Sequence, residues 1–184
     1  HHGRIDLGER RAAVTAASPA RAASALERAV AYILMQVLPR EHSALLLHAA
    51  GVACGERSYV FFGKSGAGKT TIGRLAQGYG DLLCDENVVV RAGDGPVQLH
   101  STPFWGLSTP PALIRRRRAV ATLTAAFALA HGPEFRLDRL SPSEAVAALL
   151  DTEKVATERV ASALAWLAAA ERIVQRVPIF LLTF

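Results

Sequence analysis

This chain of 184 residues is predicted to adopt an α/β fold, a mixed sheet with flanking helices. The β-type run Tyr59-Val60-Phe61-Phe62 leads into a glycine-rich loop, and a helical segment follows at 69–77. Short strand patterns return at 82–84 and 88–91, and Ala/Leu-rich helical patterns lie towards both ends. We therefore expect one domain over residues 1–184, of a size that buries a sizeable core without disulfides or metals.

The first half of the chain supplies a helix and two buried strands. Ser18 before Pro19 is typical of a helix start, and Pro39 is expected to end that helix near Leu38. Residues 44–53 are predicted to form one buried strand, and 58–62 form the strand that ends at Gly63.

The second half begins with the helix at 69–77, whose expected apolar face is Ile72, Leu75 and Ala76. A turn at 93–96 precedes a returning strand at 97–100. Residues 120–130 are ambiguous between helix and strand, whereas 135–140 alternate like a strand. Ser141-Pro142-Ser143-Glu144 is a capping box, Thr152 is expected to cap a helix reaching about 175, and a last strand follows Pro178.

The charge of the chain is concentrated in one place. Lys and Arg number 21 against 16 Asp and Glu, a net charge of +5. Four of these five charges come from consecutive arginines, so the remainder is nearly neutral and nucleic-acid binding is not predicted. This run is either a solvated stretch or a dock for an acidic peptide or nucleotide phosphates, and it consists of Arg115, Arg116, Arg117 and Arg118.

Composition also excludes several classes of protein. Two cysteines rule out a disulfide-built mini-protein, and 51% apolar residues rule out intrinsic disorder. No run approaches the roughly 18 apolar residues that span a membrane, and no signal-peptide pattern is seen, so we expect a cytoplasmic protein. His1-His2 resembles a tag remnant and 179–184 reads as a strand, which suggests a trimmed catalytic core.

The glycine-rich loop fits the pattern G-x-x-x-x-G-K-[ST] at every fixed position. Its backbone amides would surround phosphate oxygens, Lys69 would place its charge on the β- and γ-phosphates, and Thr70 would ligate Mg²⁺. The following helix would add its positive dipole end. The predicted nucleotide-contacting residues are Gly63, Lys64, Ser65, Gly66, Ala67, Gly68, Lys69, Thr70 and Thr71.

Two further features belong with this loop. Asp85-Glu86 follows the next strand, where a β-α-β crossover would bring either acid near the Mg²⁺ or an incoming hydroxyl. His48 ends the apolar run one strand before the loop, and taken alone it is more typical of a satisfied core residue. Neither a guanine-reading Asn-Lys-x-Asp motif nor a transporter signature is visible.

Together these motifs resemble the catalytic domain of HPr kinase/phosphorylase and its family of bacterial serine kinases. The resemblance rests on Leu47-His48-Ala49-Ala50-Gly51-Val52, on the loop from Gly63 to Thr70, and on Cys84-Asp85-Glu86. It covers residues 44–91 well and implies the family's fold, a mixed sheet carrying the phosphate loop.

By this resemblance, the chain is an ATP- and Mg²⁺-dependent kinase that acts on a serine of a protein or precursor peptide. Asp85 would be the general base, Glu86 and Asp85 would help Thr70 to hold Mg²⁺, and His48 and Lys69 would lie beside the transferred phosphate. The chain departs from the family pattern in two respects. Glu86 stands where full-length HPr enzymes have aspartate, and their Gly/Arg-rich signature loop has no visible counterpart.

Other functions remain open at this point. One alternative is a small-molecule kinase acting on free serine, and another is a nucleotide-binding regulatory module with little transfer activity. The sequence also leaves a homo-oligomer open, and it does not name the phosphate acceptor.

Overall fold

The structure, a computed structural model, describes residues 2–106, 109, 112, 114, 119–152 and 160–184. The strands are β1 (His2–Asp6), β2 (Arg11–Thr15), β3 (Ala44–Leu47), β4 (Ala49–Cys54), β5 (Arg57–Phe62), β6 (Asp81–Cys84), β7 (Val88–Arg91), β8 (Gln98–His100), β9 (Val120–Ala130), β10 (Arg136–Arg139) and β11 (Ile179–Thr183). The helices are α1 (Ala22–His42), α2 (Lys69–Leu75), α3 (Pro142–Thr152) and α4 (Val160–Val174), with a 3-10 turn at Pro19–Arg21 before α1.

Nine of the described strands form one mixed sheet, so the predicted α/β class is confirmed. Seven of them follow the order β3-β7-β8-β9-β5-β4-β6, and β11 pairs with both β9 and β10. β9 is parallel to β5 and to β11 and antiparallel to β8. β4 lies antiparallel between β5 and β6, so β5 and β6 run in the same direction with one strand between them.

The ambiguous segment 120–130 is a strand, β9, despite its alanines. Its residues pair with β8 at one end and β11 at the other along one edge, and with β5 along the opposite edge. Tertiary pairing on both edges overrides the helical preference of alanine, because strand formation depends mainly on neighbours. The small side chains Ala126 and Ala128 are buried within the main core.

The core lies between the sheet and the two C-terminal helices. Ala145 and Leu149 of α3 and Trp166 and Ile173 of α4 belong to the same buried cluster as the apolar side chains of the sheet. The predicted capping box starts α3: the Ser141 N–H donates to Glu144 Oε2 at 2.8 Å, and the Glu144 N–H donates to Ser141 Oγ at 3.4 Å.

The predicted single strand over 44–53 is wrong in one respect, because it is broken at His48 into β3 and β4. β3 pairs with β7, whereas β4 pairs with β5 and β6, so the chain leaves one part of the sheet and enters another at this residue. The two parts approach at Gly51, where an added Cβ would lie 3.0 Å from a Val88 methyl. The apolar run does not reveal this break, because both halves are buried.

Two other predictions differ from the structure, and a third concerns residues that are not described. α1 continues through Pro39 to His42, although proline has no N–H for a helical hydrogen bond, and the Pro39 ring is buried. Thr152 is the last described residue of α3, its hydroxyl donating to the Leu149 carbonyl at 2.8 Å, and residues 153–159, where the next helix was predicted to begin, are outside the described residues. Leu75 was expected on the buried face of α2, but it is 67% exposed and the buried face is at Gly73.

The first residues form a hairpin that the sequence did not predict. β1 and β2 pair antiparallel as a separate two-stranded sheet beside α1.

Among the described helices, no stretch combines the length and hydropathy needed to cross a membrane.

Candidate active site

Three predicted site residues meet at one edge of the sheet, the edge formed by the carboxyl ends of β5 and β6. Ala49 at the start of β4 is paired with Phe62 at the end of β5, so His48 and Gly63 lie at the same edge. Gly51 of β4 is paired with Cys84 at the end of β6, so Asp85 leaves the sheet on that side as well. The crossover from β5 through α2 to β6 therefore brings the acidic pair to the edge that carries the phosphate loop, as the spacing predicted.

The phosphate loop has the backbone that its glycines require. Gly66 and Gly68 have φ values of +84° and +100°, a region that residues with a side chain rarely adopt. A Cβ on Gly63 would lie 2.9 Å from the Ala67 Cβ and 3.1 Å from the Leu129 carbonyl oxygen. The loop thus turns tightly over the end of β9, which is the kind of backbone that gathers amides into an anion-binding concavity.

Lys69 is directed into this loop. Its ammonium donates to the Gly63 carbonyl at 2.6 Å and to the Lys64 carbonyl at 3.1 Å, and the residue is only 7% exposed. The positive charge therefore lies within the turn of the loop, against the carbonyls of Gly63 and Lys64. Such an arrangement favours an anionic group at the mouth of the loop.

Two neighbours hold the loop from the side. His131, the residue after β9, donates from Nε2 to the Gly66 carbonyl at 3.1 Å, and its ring lies edge-on to Phe184 at 5.6 Å. A Cβ on Gly68 would lie 3.0 Å from the Phe184 ring. Lys64 forms an exposed ion pair with Asp151 of α3 at 2.9 Å.

Asp85 is buried and held by a loop that the sequence did not connect with it. Its Oδ1 accepts from the Gly106 N–H at 3.0 Å and from the Thr109 hydroxyl at 2.6 Å, and Oδ2 lies 2.7 Å from the same hydroxyl. Only 2% of Asp85 and 6% of Thr109 is exposed. The carboxylate is therefore fixed in orientation and closed off from solvent in this arrangement.

His48 and Glu86 form a pair beside Asp85. His48 Nδ1 lies 2.7 Å from the Glu86 carbonyl oxygen, which can only accept, so this ring nitrogen carries the proton. The same nitrogen is 3.4 Å from Glu86 Oε1, with side-chain exposures of 11% for His48 and 32% for Glu86. The histidine thus holds the acidic turn in place through a backbone contact.

Cys84 lies beneath the loop that carries Gly106. Its thiol is directed at the Phe104 carbonyl and also lies near the Thr102 hydroxyl. Burial is the main reason why the pKa of the Cys84 thiol is raised above its ordinary value. Phe104 is buried, and Trp105 packs against the small cluster of Ala50, Val52 and Leu82.

The remaining predicted residues differ in how accessible they are. Ser65 and Thr71 are exposed, while Thr70 is half-buried at the start of α2. α2 is only 7 residues long, so the dipole contribution expected from this helix is small. The arginine run, Arg115 to Arg118, lies outside the described residues.

Sequence reasoning missed Thr109, Gly106, His131 and Phe184. The first two lie in a proline-containing segment, and their contacts with Asp85 span 24 residues for Thr109 and 21 for Gly106. His131 directly follows the segment that was ambiguous between helix and strand. A firm strand prediction for 120–130 would have placed His131 at the loop's edge of the sheet.

The residues present fit a nucleotide polyphosphate with Mg²⁺. The glycine turns and the inward-pointing Lys69 suit phosphate oxygens, and the Thr70 hydroxyl and the Glu86 carboxylate are hard oxygen donors of the type that Mg²⁺ prefers. Among the described residues, no group of three His, Cys, Asp or Glu side chains is arranged to hold a metal alone. This is compatible with Mg²⁺, which is usually bound through one or two protein ligands together with substrate phosphates.

Comparison with known proteins gives distant likenesses among solved structures. No family model matches the chain, and no curated protein sequence matches it. Among solved structures, the HPr(Ser) kinase/phosphatase from Coxiella burnetii is similar over 76% of this chain and 84% of that protein, with 10% identity and a TM-score of 0.39. A likeness this distant carries no argument about activity, so function has to follow from the residues of the site.

Proposed function

We propose that this protein is an ATP-dependent kinase that transfers the γ-phosphoryl group to a serine hydroxyl of a protein or precursor peptide. The observation that carries the proposal is the meeting of the phosphate loop, His48 and Asp85 at one sheet edge. A phosphate-binding loop alone would suit any nucleotide-binding protein. A buried carboxylate at the same edge adds a group that can accept a proton from an attacking hydroxyl.

Each residue has a task that its position supports. The loop amides and Lys69 would hold the phosphates and stabilise charge that develops during transfer, since phosphoryl transfer depends mainly on positioning and electrostatics. Asp85, held by Gly106, would orient the acceptor hydroxyl and take its proton. His48 would fix the acidic turn through the Glu86 carbonyl.

The metal would be shared between protein and substrate. We propose that the Thr70 hydroxyl and Glu86, with Asp85 nearby, would hold Mg²⁺, which when bound offsets the negative charge of the phosphates. The contact between Glu86 and His48 keeps this carboxylate beside Asp85. The choice of a serine peptide as acceptor, with Arg115 to Arg118 as an acidic-peptide dock, follows the resemblance of the sequence and remains part of the proposal.

The test combines nucleotide binding with the fate of labelled phosphate. The protein is incubated with γ-labelled ATP, Mg²⁺ and either serine-containing acidic peptides or free serine, and label is sought in peptide, free serine and water. Label in a peptide supports the proposal, label in free serine supports a small-molecule kinase, and label nowhere supports a regulatory module.

Lys69→Ala tests whether the phosphate loop binds ATP. We expect ATP affinity to fall at least tenfold, or about 1.4 kcal/mol, because a charge-assisted contact is lost. Arg57→Ala is the control, since this exposed arginine begins β5, at the end of the strand opposite the phosphate loop. Equal ATP affinity in the wild type and in Lys69→Ala would contradict the phosphate-loop assignment.

A further inference from the structure

Three ring-bearing residues stand side by side next to the phosphate loop. His131 follows the last residue of β9, Phe184 follows the last residue of β11, and Phe135 precedes the first residue of β10. β11 is parallel to β9 and antiparallel to β10, and β9 is parallel to β5, so the three positions are neighbours at the edge that carries the loop. We call these three residues the aromatic row.

The aromatic row lies on the same face of the sheet as α2. Phe180 is stacked on Phe127 at 5.7 Å and Phe127 on Phe61 at 5.1 Å, and Phe61 packs with Ala76, at the end of α2, against one small apolar cluster. Side chains alternate between the faces of a strand, so Phe184, four residues after Phe180, is on this face as well.

Phe135 joins the row through the register of β10. Leu137 is paired with Leu182, and the same register continued by two residues puts Phe135 opposite Phe184. Paired residues of antiparallel strands point to the same face, so the two phenylalanines are neighbours on the side of the sheet that carries α2.

Phe184 is fixed in direct contact with the phosphate loop. A Cβ on Gly68 would lie 3.0 Å from its ring, and the His131 ring lies edge-on to it at 5.6 Å. The Phe184 N–H donates to the Ala130 carbonyl at 3.1 Å, and the Gly132 N–H donates to the Phe184 carbonyl at 3.0 Å. Backbone pairing with the end of β9 therefore holds this ring beside the loop.

The outer part of the row is open to solvent. Phe135 is 76% exposed and Phe184 is 36% exposed, and Leu137 beside them is 49% exposed. A contiguous exposed apolar patch of this kind is typical of a binding surface. The site residues assigned above bind phosphates, Mg²⁺ or the acceptor hydroxyl, so a nucleotide held by them still lacks a partner for its base.

We propose that the aromatic row binds the nucleobase of the nucleotide whose phosphates occupy the loop. This inference rests on the proposed ATP-dependent function and adds a base-binding subsite to it. Because Phe184 touches Gly68, a base stacked on its ring is joined to the loop through the ribose and the α-phosphate. Phe135 lies one strand further out, about 4.8 Å away, and borders the outer side of the base. Aromatic rings recognise the flat face that every base has, so the subsite recognises a base as such.

The experiment compares ATP with inorganic tripolyphosphate, which has the phosphates but no base. Titration calorimetry in Mg²⁺ gives the two affinities for the wild type and each variant. Phe184→Leu keeps an apolar contact with Gly68 but removes the ring, and Phe135→Ser removes an exposed ring. Each should lower ATP affinity by roughly 5- to 100-fold, the range expected for loss of a base–aromatic stack, and leave tripolyphosphate affinity within about twofold.

Two further variants serve as controls. Phe135→Trp keeps an aromatic ring and should retain ATP affinity within about threefold of the wild type. Tyr79→Ser removes another exposed aromatic, 84% accessible, that follows α2 at the end of the helix away from the loop. It should change the affinity of neither ligand. Circular dichroism confirms that each variant is folded.

The outcomes separate this inference from the proposed function. Equal losses of ATP and tripolyphosphate affinity in Phe184→Leu would show that the ring only supports the loop, and they would overturn the base assignment. ATP binding that depends on Lys69 but is unchanged in Phe184→Leu and Phe135→Ser would overturn it too, while the proposed function stands. A Phe135→Ser variant that alters the oligomeric state in size-exclusion chromatography, with ATP affinity unchanged, would assign the row to self-association instead. A wild type that does not bind ATP would contradict both proposals.

Discussion

Replacing Asp85 by asparagine separates its chemical role from its structural one. In the Asn variant, Oδ1 can still accept from the Gly106 N–H, and the new amide can donate to the Thr109 hydroxyl oxygen. The hydrogen-bonded turn is therefore kept, but the group no longer accepts a proton. We expect phosphoryl transfer to fall by about 10²–10⁴-fold, or roughly 2.7–5.4 kcal/mol at 1.36 kcal/mol per factor of ten.

Asp85→Ala is the matched comparison, because it removes the same base and also leaves the Gly106 N–H without its acceptor. An unpaired buried donor costs about 1–3 kcal/mol, which for a chain of this size lowers the melting temperature by roughly 2–12 °C. The two variants should thus lose transfer alike but differ in thermal stability. Initial rates with γ-labelled ATP and a fixed serine peptide give the first quantity, and calorimetry gives the second.

Nucleotide binding by Asp85→Asn serves as the internal control. Titration calorimetry should give an ATP affinity within about threefold of the wild type, or roughly 0.65 kcal/mol, because the phosphate loop is unchanged. Transfer within about threefold of the wild-type rate would refute the assignment of Asp85 as the base. An Asn variant that melts as low as the Ala variant would refute the hydrogen-bond reasoning.

The remaining predictions concern the phosphate loop and α3. Gly68→Ala should lower the free energy of unfolding by roughly 1–2 kcal/mol because of the positive φ, and it should also weaken ATP binding because the new methyl group crowds Phe184. Gly78→Ala, with φ +88° and no neighbouring atoms, should lower stability but leave ATP binding unchanged. Equal ATP affinities of the two variants would contradict this contrast. The pKa of Glu144 is lowered, first by the Ser141 hydroxyl and then by its N–H, so the folded value lies below the unfolded one. The wild type should therefore be more stable than Glu144→Gln above pH 4.5, and this difference should fade as the pH falls through the pKa of Glu144 in the folded protein. Chemical denaturation at several pH values measures the difference, and a difference that grows on acidification would contradict the prediction. Ser141→Ala should lower stability by about 1 kcal/mol, read as a shift of roughly 2–4 °C in melting temperature, and an unshifted melting curve would show that the cap contributes nothing.

Local rules were sufficient where neighbouring residues make the structure. The capping box at Ser141-Pro142-Ser143-Glu144 was readable because all its partners lie within three residues. The phosphate loop was readable for the same reason, since its turn depends on glycines spaced along a short segment. Strand bounds such as Val88–Arg91 were also predicted, because a short apolar run between turn residues has few alternatives.

Local rules failed where a distant partner decides the outcome. Residues 120–130 looked equally helical until both edges were found to pair with other strands. Leu75 looked like part of a buried face, but the close approach of Leu82 to Gly73 turns another side of α2 inward. The break at His48 also depends on which strands pair with each half of the run, and this pairing is not encoded in hydrophobic periodicity.

The sequence by itself determined that the chain folds as α/β around a phosphate loop, and its motifs indicated Lys69, His48 and Asp85 as candidate site residues. Spacing alone predicted that Asp85 lies near the loop, but only the tertiary structure decided that His48 joins them, because the pairing of β4 with β5 and β6 is long-range. It also decided that Thr109 covers Asp85, a contact across 24 residues that no local pattern specifies. Short sequence motifs thus indicate the reactive groups, whereas tertiary packing decides that the Thr109 hydroxyl faces the Asp85 carboxylate.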